Sequence, residues 1–160
     1  ISQHQNLIIV RTFSKAFGIA SLRVGYLVAS KELIEDLYRV KLAHEVSGVS
    51  AKIAIHLISN LNIMQNYVQA VNDGKKILQK RLSGLGIKVF ASEANFIYLK
   101  LPAHANIQTI LSHLSKKDVL IKGPFTKRPF SDHLRITTGD EAQMNYFCDL
   151  LYEVFMANSW

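Results

Sequence analysis

Apolar positions along the 160 residues change their spacing several times, and each change marks an element. Leu7-Ile8-Ile9-Val10 is a short β-branched run that predicts a buried strand. Arg11 to Ser21 follows as a turn rich in small residues, and Leu22 to Ala29 predicts a second strand. Leu33, Ile34, Leu37 and Val40 recur with helical spacing, with Ser30 placed as an N-cap. Ala43 to Ser50, around Gly48, predicts a break, and Ala51 to Ile58 a further helix. Ile63, Tyr67, Val71, Leu78 and Leu82 mark a long helix with Gly74 as a weak spot, closed at Leu85-Gly86.

Beyond that helix the pattern shortens. Lys88 to Phe90 and Asn95 to Leu101 predict strands on either side of a Ser92-Glu93-Ala94 turn, and Pro102 stops the second. Ile107, Ile110, Leu111 and Leu114 return to helical spacing. Val119 to Lys122 predicts a strand broken by Gly123-Pro124, and Leu134 to Thr138 another. Asp140 with Gln143 is a capping-box signature ahead of a helix through Met144, Phe147, Cys148, Leu151 and Phe155. The first part therefore reads as strand–turn–strand followed by helices. From about Gly74 strands and helices alternate around a small sheet, which is an α/β layer packing.

Composition narrows the function. With 49% hydrophobic residues the chain can bury a real core. No apolar run approaches the roughly 18 residues of a membrane span, so no membrane partner is expected. The single cysteine, Cys148, rules out an internal disulfide and sits where a core residue belongs. A formal net charge of +7 raises nucleic acid as a partner. The basic residues are scattered, however, in pairs such as Lys75-Lys76, Lys116-Lys117 and Lys127-Arg128, without interleaved aromatics. They read as solvated helix faces and loop tips, and no nucleic acid is expected. The six histidines show no metal-ligand spacing, so no metal is expected. The chain begins at Ile1 without a methionine or signal-like segment, which suggests part of a longer or processed chain.

The chemistry concentrates in Arg11–Tyr26. Lys15 has a hydroxyl on its N-terminal side, small residues around it (Ala16, Gly18, Ala20, Ser21) and Arg23 eight positions later. A lysine presented at a strand end can attack an aldehyde once its amine is neutral. Small neighbours let a flat ring approach the backbone, while Ser14 and Arg23 can hold a phosphate. The arrangement suits a covalently held, phosphorylated aldehyde such as pyridoxal phosphate. Taken singly, Lys15 and Arg23 would be an ordinary surface lysine and strand-end charge. A hydroxyl–lysine pair of the Ser-x-x-Lys type, Thr12 with Lys15, is a further option, but the elements that accompany it are missing.

Thr12-Phe13-Ser14-Lys15-Ala16-Phe17-Gly18 with Leu22-Arg23-Val24-Gly25-Tyr26 resembles the cofactor-lysine motif of fold-type I pyridoxal-phosphate aminotransferases, the histidinol-phosphate aminotransferases above all. Ala94-Asn95-Phe96-Ile97 and His133-Leu134-Arg135-Ile136-Thr137-Thr138-Gly139 resemble two later strands of the same family, in the same order. The resemblance implies an α/β fold, with residues 1–60 as the end of the large cofactor-binding domain plus connecting helix and 61–160 as the small C-terminal domain. It implies that Lys15 is the Schiff-base lysine and proton carrier, and that Ser14 and Arg23 bind the cofactor phosphate. Arg135 would anchor the substrate's carboxylate or phosphate, with Asn95 lining the site. A small-molecule amino donor, a 2-oxo acid, a cytoplasmic homodimer and a place in histidine biosynthesis follow from the same source.

The sequence also departs from that family. Lys122 stands where an arginine usually helps hold the substrate anion, with Lys127 and Arg128 on a nearby loop. His44 to Ser50 replaces the usual Asn-containing turn. These differences leave decarboxylation of a phosphorylated amino acid on the same scaffold open, and beside it a non-catalytic basic binding domain. The aspartate and aromatic residue that grip the cofactor ring in this family arise upstream of the lysine strand. The expectation is that the 160 residues alone do not make a competent site.

Overall fold

The computed structural model describes residues 3–43, 45–127 and 129–160. Ile1, His44 and Arg128, each touched by an expectation above, lie outside the described residues. The chain divides into two compact units, Ile1–Val68 and Gln69–Trp160.

In the first unit β1 (Ile9–Thr12) and β2 (Gly25–Val28) form an antiparallel ribbon, Ile9 opposite Val28 and Thr12 opposite Gly25. Gly25 is required by close approach, since a Cβ there would lie 2.6 Å from the Arg11 carbonyl oxygen. The first strand starts two residues later than Leu7, and its expected burial does not hold. All eight ribbon residues are exposed, because among the described residues no third strand pairs with either one. The second strand is shorter than expected because Ala20–Leu22 forms a 3-10 turn and Arg23 is left-handed at φ 54°. Ser30 caps α1 (Lys31–Val40) as its spacing predicted, its Oγ accepting from Leu33 N at 3.4 Å. Ser47 Oγ accepts from Ser50 N at 3.1 Å and starts α2 (Gly48–Ser59) within the stretch expected to be a break. α3 (Leu61–Leu82) begins in this unit. The unit's buried cluster is small: Phe13, Val24 and Ala54, flanked by Phe17, Ile19 and Leu22.

In the second unit β3 (Lys88–Val89), β4 (Phe96–Lys100) and β5 (His133–Thr137) form an antiparallel sheet in that order. Ile97 opposite Ile136 and Leu99 opposite Leu134 turn one face to the core. The C-terminal half of α3, α4 (Ile107–Ser115) and α5 (Glu141–Ala157) add Leu78, Leu82, Ile110, Leu114, Leu151 and Phe155 to the same cluster. Asp140 and Gln143 close the expected capping box, with bonds of 2.9 and 3.2 Å. Among the described residues no helix is long and apolar enough to cross a membrane.

Two expectations change here. Val119–Lys122 is not a strand but a single bridge from Lys122 to Arg135. The Val119 amide donates instead to the Leu114 carbonyl at the end of α4, and Leu120 is 85% exposed. Gly74 is not a weak spot of α3 but a point of close packing: a Cβ there would meet the Gly139 carbonyl oxygen.

Cys148 is fully buried in α5, and its burial pushes the thiol up to about 11, with Asp149 adding to the shift and Arg81 opposing it. The folded chain holds this proton above the unfolded value of 9.0, so stability falls as pH rises from about 9 toward 11. Urea melts across that range should be steeper in pH for the native sequence than for Cys148→Ala. Equal pH slopes for the two would show that the thiol carries no linkage.

Candidate functional site

The loop between β1 and β2 holds Ser14, Lys15 and Arg23. Phe13 and Val24 are buried at its base, and the Phe13 amide donates to the Val24 carbonyl at 3.1 Å. That bond extends the ribbon by one pair; beyond it the Phe13 carbonyl accepts from the Ile19 amide at 3.4 Å and the chain leaves the ladder, with Ser14 and Lys15 following Phe13 and Arg23 preceding Val24. Phe17 packs on Phe13 with ring centroids 4.7 Å apart, and Tyr26 meets the same ring edge-on at 6.0 Å. The loop is therefore pinned from beneath by aromatic packing while its polar residues face outward.

Within the loop, the Gly18 amide donates to the Lys15 carbonyl at 2.9 Å, and Gly18 takes φ +71°, which closes a tight turn directly after the lysine. Lys15 itself is exposed. Ser14 is half-buried, and its amide donates to Thr12 Oγ1 at 3.0 Å. The Thr12 hydroxyl in turn donates to Ser14 Oγ at 2.8 Å, so its bond runs to the serine rather than to Lys15. Arg23 holds a left-handed backbone, a conformation that costs a non-glycine residue about 1–2 kcal/mol. Its Nη1 donates to the Ala20 carbonyl at 2.9 Å, which fixes the guanidinium against the turn. The chain has no carboxylate before Glu32, so Arg11, Lys15 and Arg23 make the segment cationic throughout. An amine, a hydroxyl and a guanidinium in an acid-free loop form a donor set suited to an anionic, carbonyl-bearing ligand.

The other two residues singled out in the sequence lie in the second unit. Asn95 leads into β4, and its carbonyl accepts from the Thr138 amide at 2.9 Å and the Thr138 hydroxyl at 3.1 Å. Arg135 stands on β5 opposite Tyr98, on the sheet face turned away from the core, and is half-buried. Its guanidinium lies over the Phe96 ring, 5.0 Å from the centroid. The backbones of Lys122 and Arg135 exchange two hydrogen bonds, of 3.1 and 2.7 Å, which brings the departing lysine beside the arginine. Lys127 stays on the loop, where its carbonyl accepts from the Phe130 amide at 3.0 Å.

Sequence reasoning missed two features of these sites. The left-handed Arg23 carries no local signal, since an arginine at such a turn is atypical. The contact between Phe96 and Arg135 was accessible in principle: the alternation of Phe96 with Tyr98 sets both on the outer face, where Arg135 also stands.

A profile of the family described as aminotransferase class I and II matches residues 1–151. The histidinol-phosphate aminotransferase of Ruminiclostridium cellulolyticum is 34% identical over 155 residues, covering 96% of this chain and 42% of that protein. The crystal structure of histidinol-phosphate aminotransferase from Sinorhizobium meliloti, in complex with pyridoxal-5'-phosphate, aligns with a TM-score of 0.81 at 22% identity. That alignment covers 96% of this chain and 42% of the other. L-threonine-O-3-phosphate decarboxylase from Porphyromonas gingivalis aligns at 0.75 and 24%, covering 98% of this chain and 49% of its own. At those identities the two structures show a shared fold. This chain spans about two fifths of the length of the curated relatives it matches. With a family profile running over nearly its whole length and those relatives beside it, the chain belongs to the class I and II aminotransferases.

Proposed function

We propose that these residues form the C-terminal part of a pyridoxal-phosphate-dependent aminotransferase. Residues 1–60 would end its large cofactor-binding domain and connecting helix, and 61–160 would form its small domain. The reaction moves an amino group between an amino acid or phosphorylated amine and a 2-oxo acid. The name shared by the relatives, histidinol-phosphate aminotransferase, points to a phosphorylated amino alcohol as donor and to histidine biosynthesis. The reading extends to a cytoplasmic homodimer.

The observation that carries it is the acid-free loop that gathers Ser14, Lys15 and Arg23 at one end of the β1–β2 ribbon. Pyridoxal phosphate, when bound, supplies an electrophilic aldehyde carbon and an electron-accepting ring. Lys15 would hold it through Nζ and, once freed, take and return the proton at the substrate Cα. Ser14 Oγ and the Arg23 guanidinium would hold its phosphate, the first by a hydroxyl hydrogen bond and the second as a charged fork. Arg135 would receive the substrate's anionic group, and Asn95 would line the same site.

A second reading, decarboxylation of a phosphorylated amino acid, draws on Lys122 in place of the usual arginine. A lysine is a point charge where an arginine is a planar fork, so the anion it favours can differ. Turnover of the full-length protein distinguishes the two. Aminotransfer gives product only when 2-oxoglutarate or another 2-oxo acid is supplied. Carbon dioxide release without a 2-oxo acid would overturn the first reading in favour of the second.

A further inference from the structure

Two arginines of the second unit lie against aromatic rings, and their donors are used differently. Arg81 lies 5.6 Å from the Tyr152 ring centroid, and its guanidinium also donates to the Asn145 carbonyl, Asn145 Oδ1 and Asp149. It is a structural clasp between α3 and α5. Arg135 lies closer to its ring, at 5.0 Å from Phe96, yet among the described residues its guanidinium has no carboxylate and no hydrogen-bond partner. Asp132, the residue before the same strand, is engaged by His133 Nδ1 at 2.6 Å and by Lys100 Nζ at 3.4 Å. The residue bridged to Arg135, Lys122, carries the same sign of charge.

We infer that Phe96 is the positioning residue for Arg135, holding its guanidinium flat so that the in-plane N–H donors stay unpaired and aimed at an incoming anion. The inference rests on the anion-anchoring role proposed for Arg135. The attraction of a cation to a ring face orients the guanidinium without using any of its N–H groups, whereas a carboxylate or carbonyl partner would consume them. The platform is itself held in place. Tyr98 meets Phe96 edge-on at 6.0 Å and 85°, and Tyr98 packs in turn on Phe125 at 5.7 Å and Phe130 at 5.8 Å. The strand register explains the choice of ring: Tyr98 is directly opposite Arg135, and Phe96 is the diagonal neighbour that a long side chain reaches.

The test is a titration of the full-length protein with inorganic phosphate at constant ionic strength. It follows the arginine Nε–Hε NMR signal that disappears in Arg135→Ala. Phe96→Tyr, which keeps a ring face, should bind within about twofold of the native sequence, and Phe96→Leu should weaken binding about fivefold. The Trp160 emission of Phe96→Leu, as in the native chain, reports that the unit is still folded. Phe96→Leu binding like the native chain overturns the inference alone, and so does Phe96→Tyr weakened as much as Phe96→Leu. If phosphate leaves the Arg135 signal unmoved in the native chain, the anchoring role falls and the inference with it. Neither result bears on Lys15.

Discussion

Replacing Lys15 with alanine is expected to abolish covalent capture of pyridoxal phosphate and to lower amino transfer by about a hundred- to ten-thousand-fold, the range for losing a positioned proton carrier. The expectation follows from where the lysine sits. Phe13 and Val24 are buried beneath the loop, and the Lys15–Gly18 turn fixes the backbone immediately after the side chain. The substitution therefore removes an exposed amine and leaves the buried contacts in place. Borohydride reduction of the full-length protein with pyridoxal phosphate, followed by peptide mass mapping, should find the label on Lys15 and find none in Lys15→Ala. A label retained at another lysine, with turnover intact, would falsify the assignment. Arg23→Ala should act differently. It leaves the attachment point and weakens retention of the cofactor, so its loss of activity is repaired by excess pyridoxal phosphate.

Gly74→Ala is expected to destabilise the second unit by about 3 kcal/mol, at the upper end for overpacking. Helix propensity alone has the opposite sign, since alanine in a helix interior is worth about 1 kcal/mol over glycine. Packing decides the outcome. The added Cβ would come within 2.9 Å of Met144 Cγ and 3.3 Å of the Asp140 carbonyl oxygen, and closer still to the Gly139 carbonyl oxygen. Two of those three atoms are backbone at the capped start of α5, where the Asp140–Gln143 box leaves little room to shift. Urea unfolding followed by Trp160, which meets Phe155 edge-on at 5.5 Å, reports on this unit. If Gly74→Ala melts at or above the native midpoint, the close approach of α3 and α5 is not a constraint.

The elements easiest to read from sequence were those whose signals are local. Ser30 and the Asp140–Gln143 pair each announce a helix start with side chains that bond within three residues. The Lys15 loop stands out as a candidate because its residue types carry chemistry at short spacing. What escaped depended on distant partners. Val119–Lys122 has strand-forming residues, but a competing bond from its first amide to Leu114 takes precedence. Leu7 to Val10 has the composition of a buried strand, and burial requires neighbours that its own residues cannot specify. Gly74 looked like a defect because Gly139 and Met144, which explain it, lie more than sixty positions along the chain.

The two buried clusters differ greatly in size: three residues beneath the Lys15 loop, and eighteen in the second unit. Redundancy is distributed accordingly. A truncation in the larger cluster costs an amount set by how far its neighbours can relax into the space left behind. Among the described residues the cluster beneath the lysine has three buried members and three partly buried flanking ones, so a change at Phe13, Val24 or Ala54 bears directly on the loop that holds Lys15. Sequence variation tolerated across the larger cluster would thus be vetoed at those three positions, although none of them carries a reactive group.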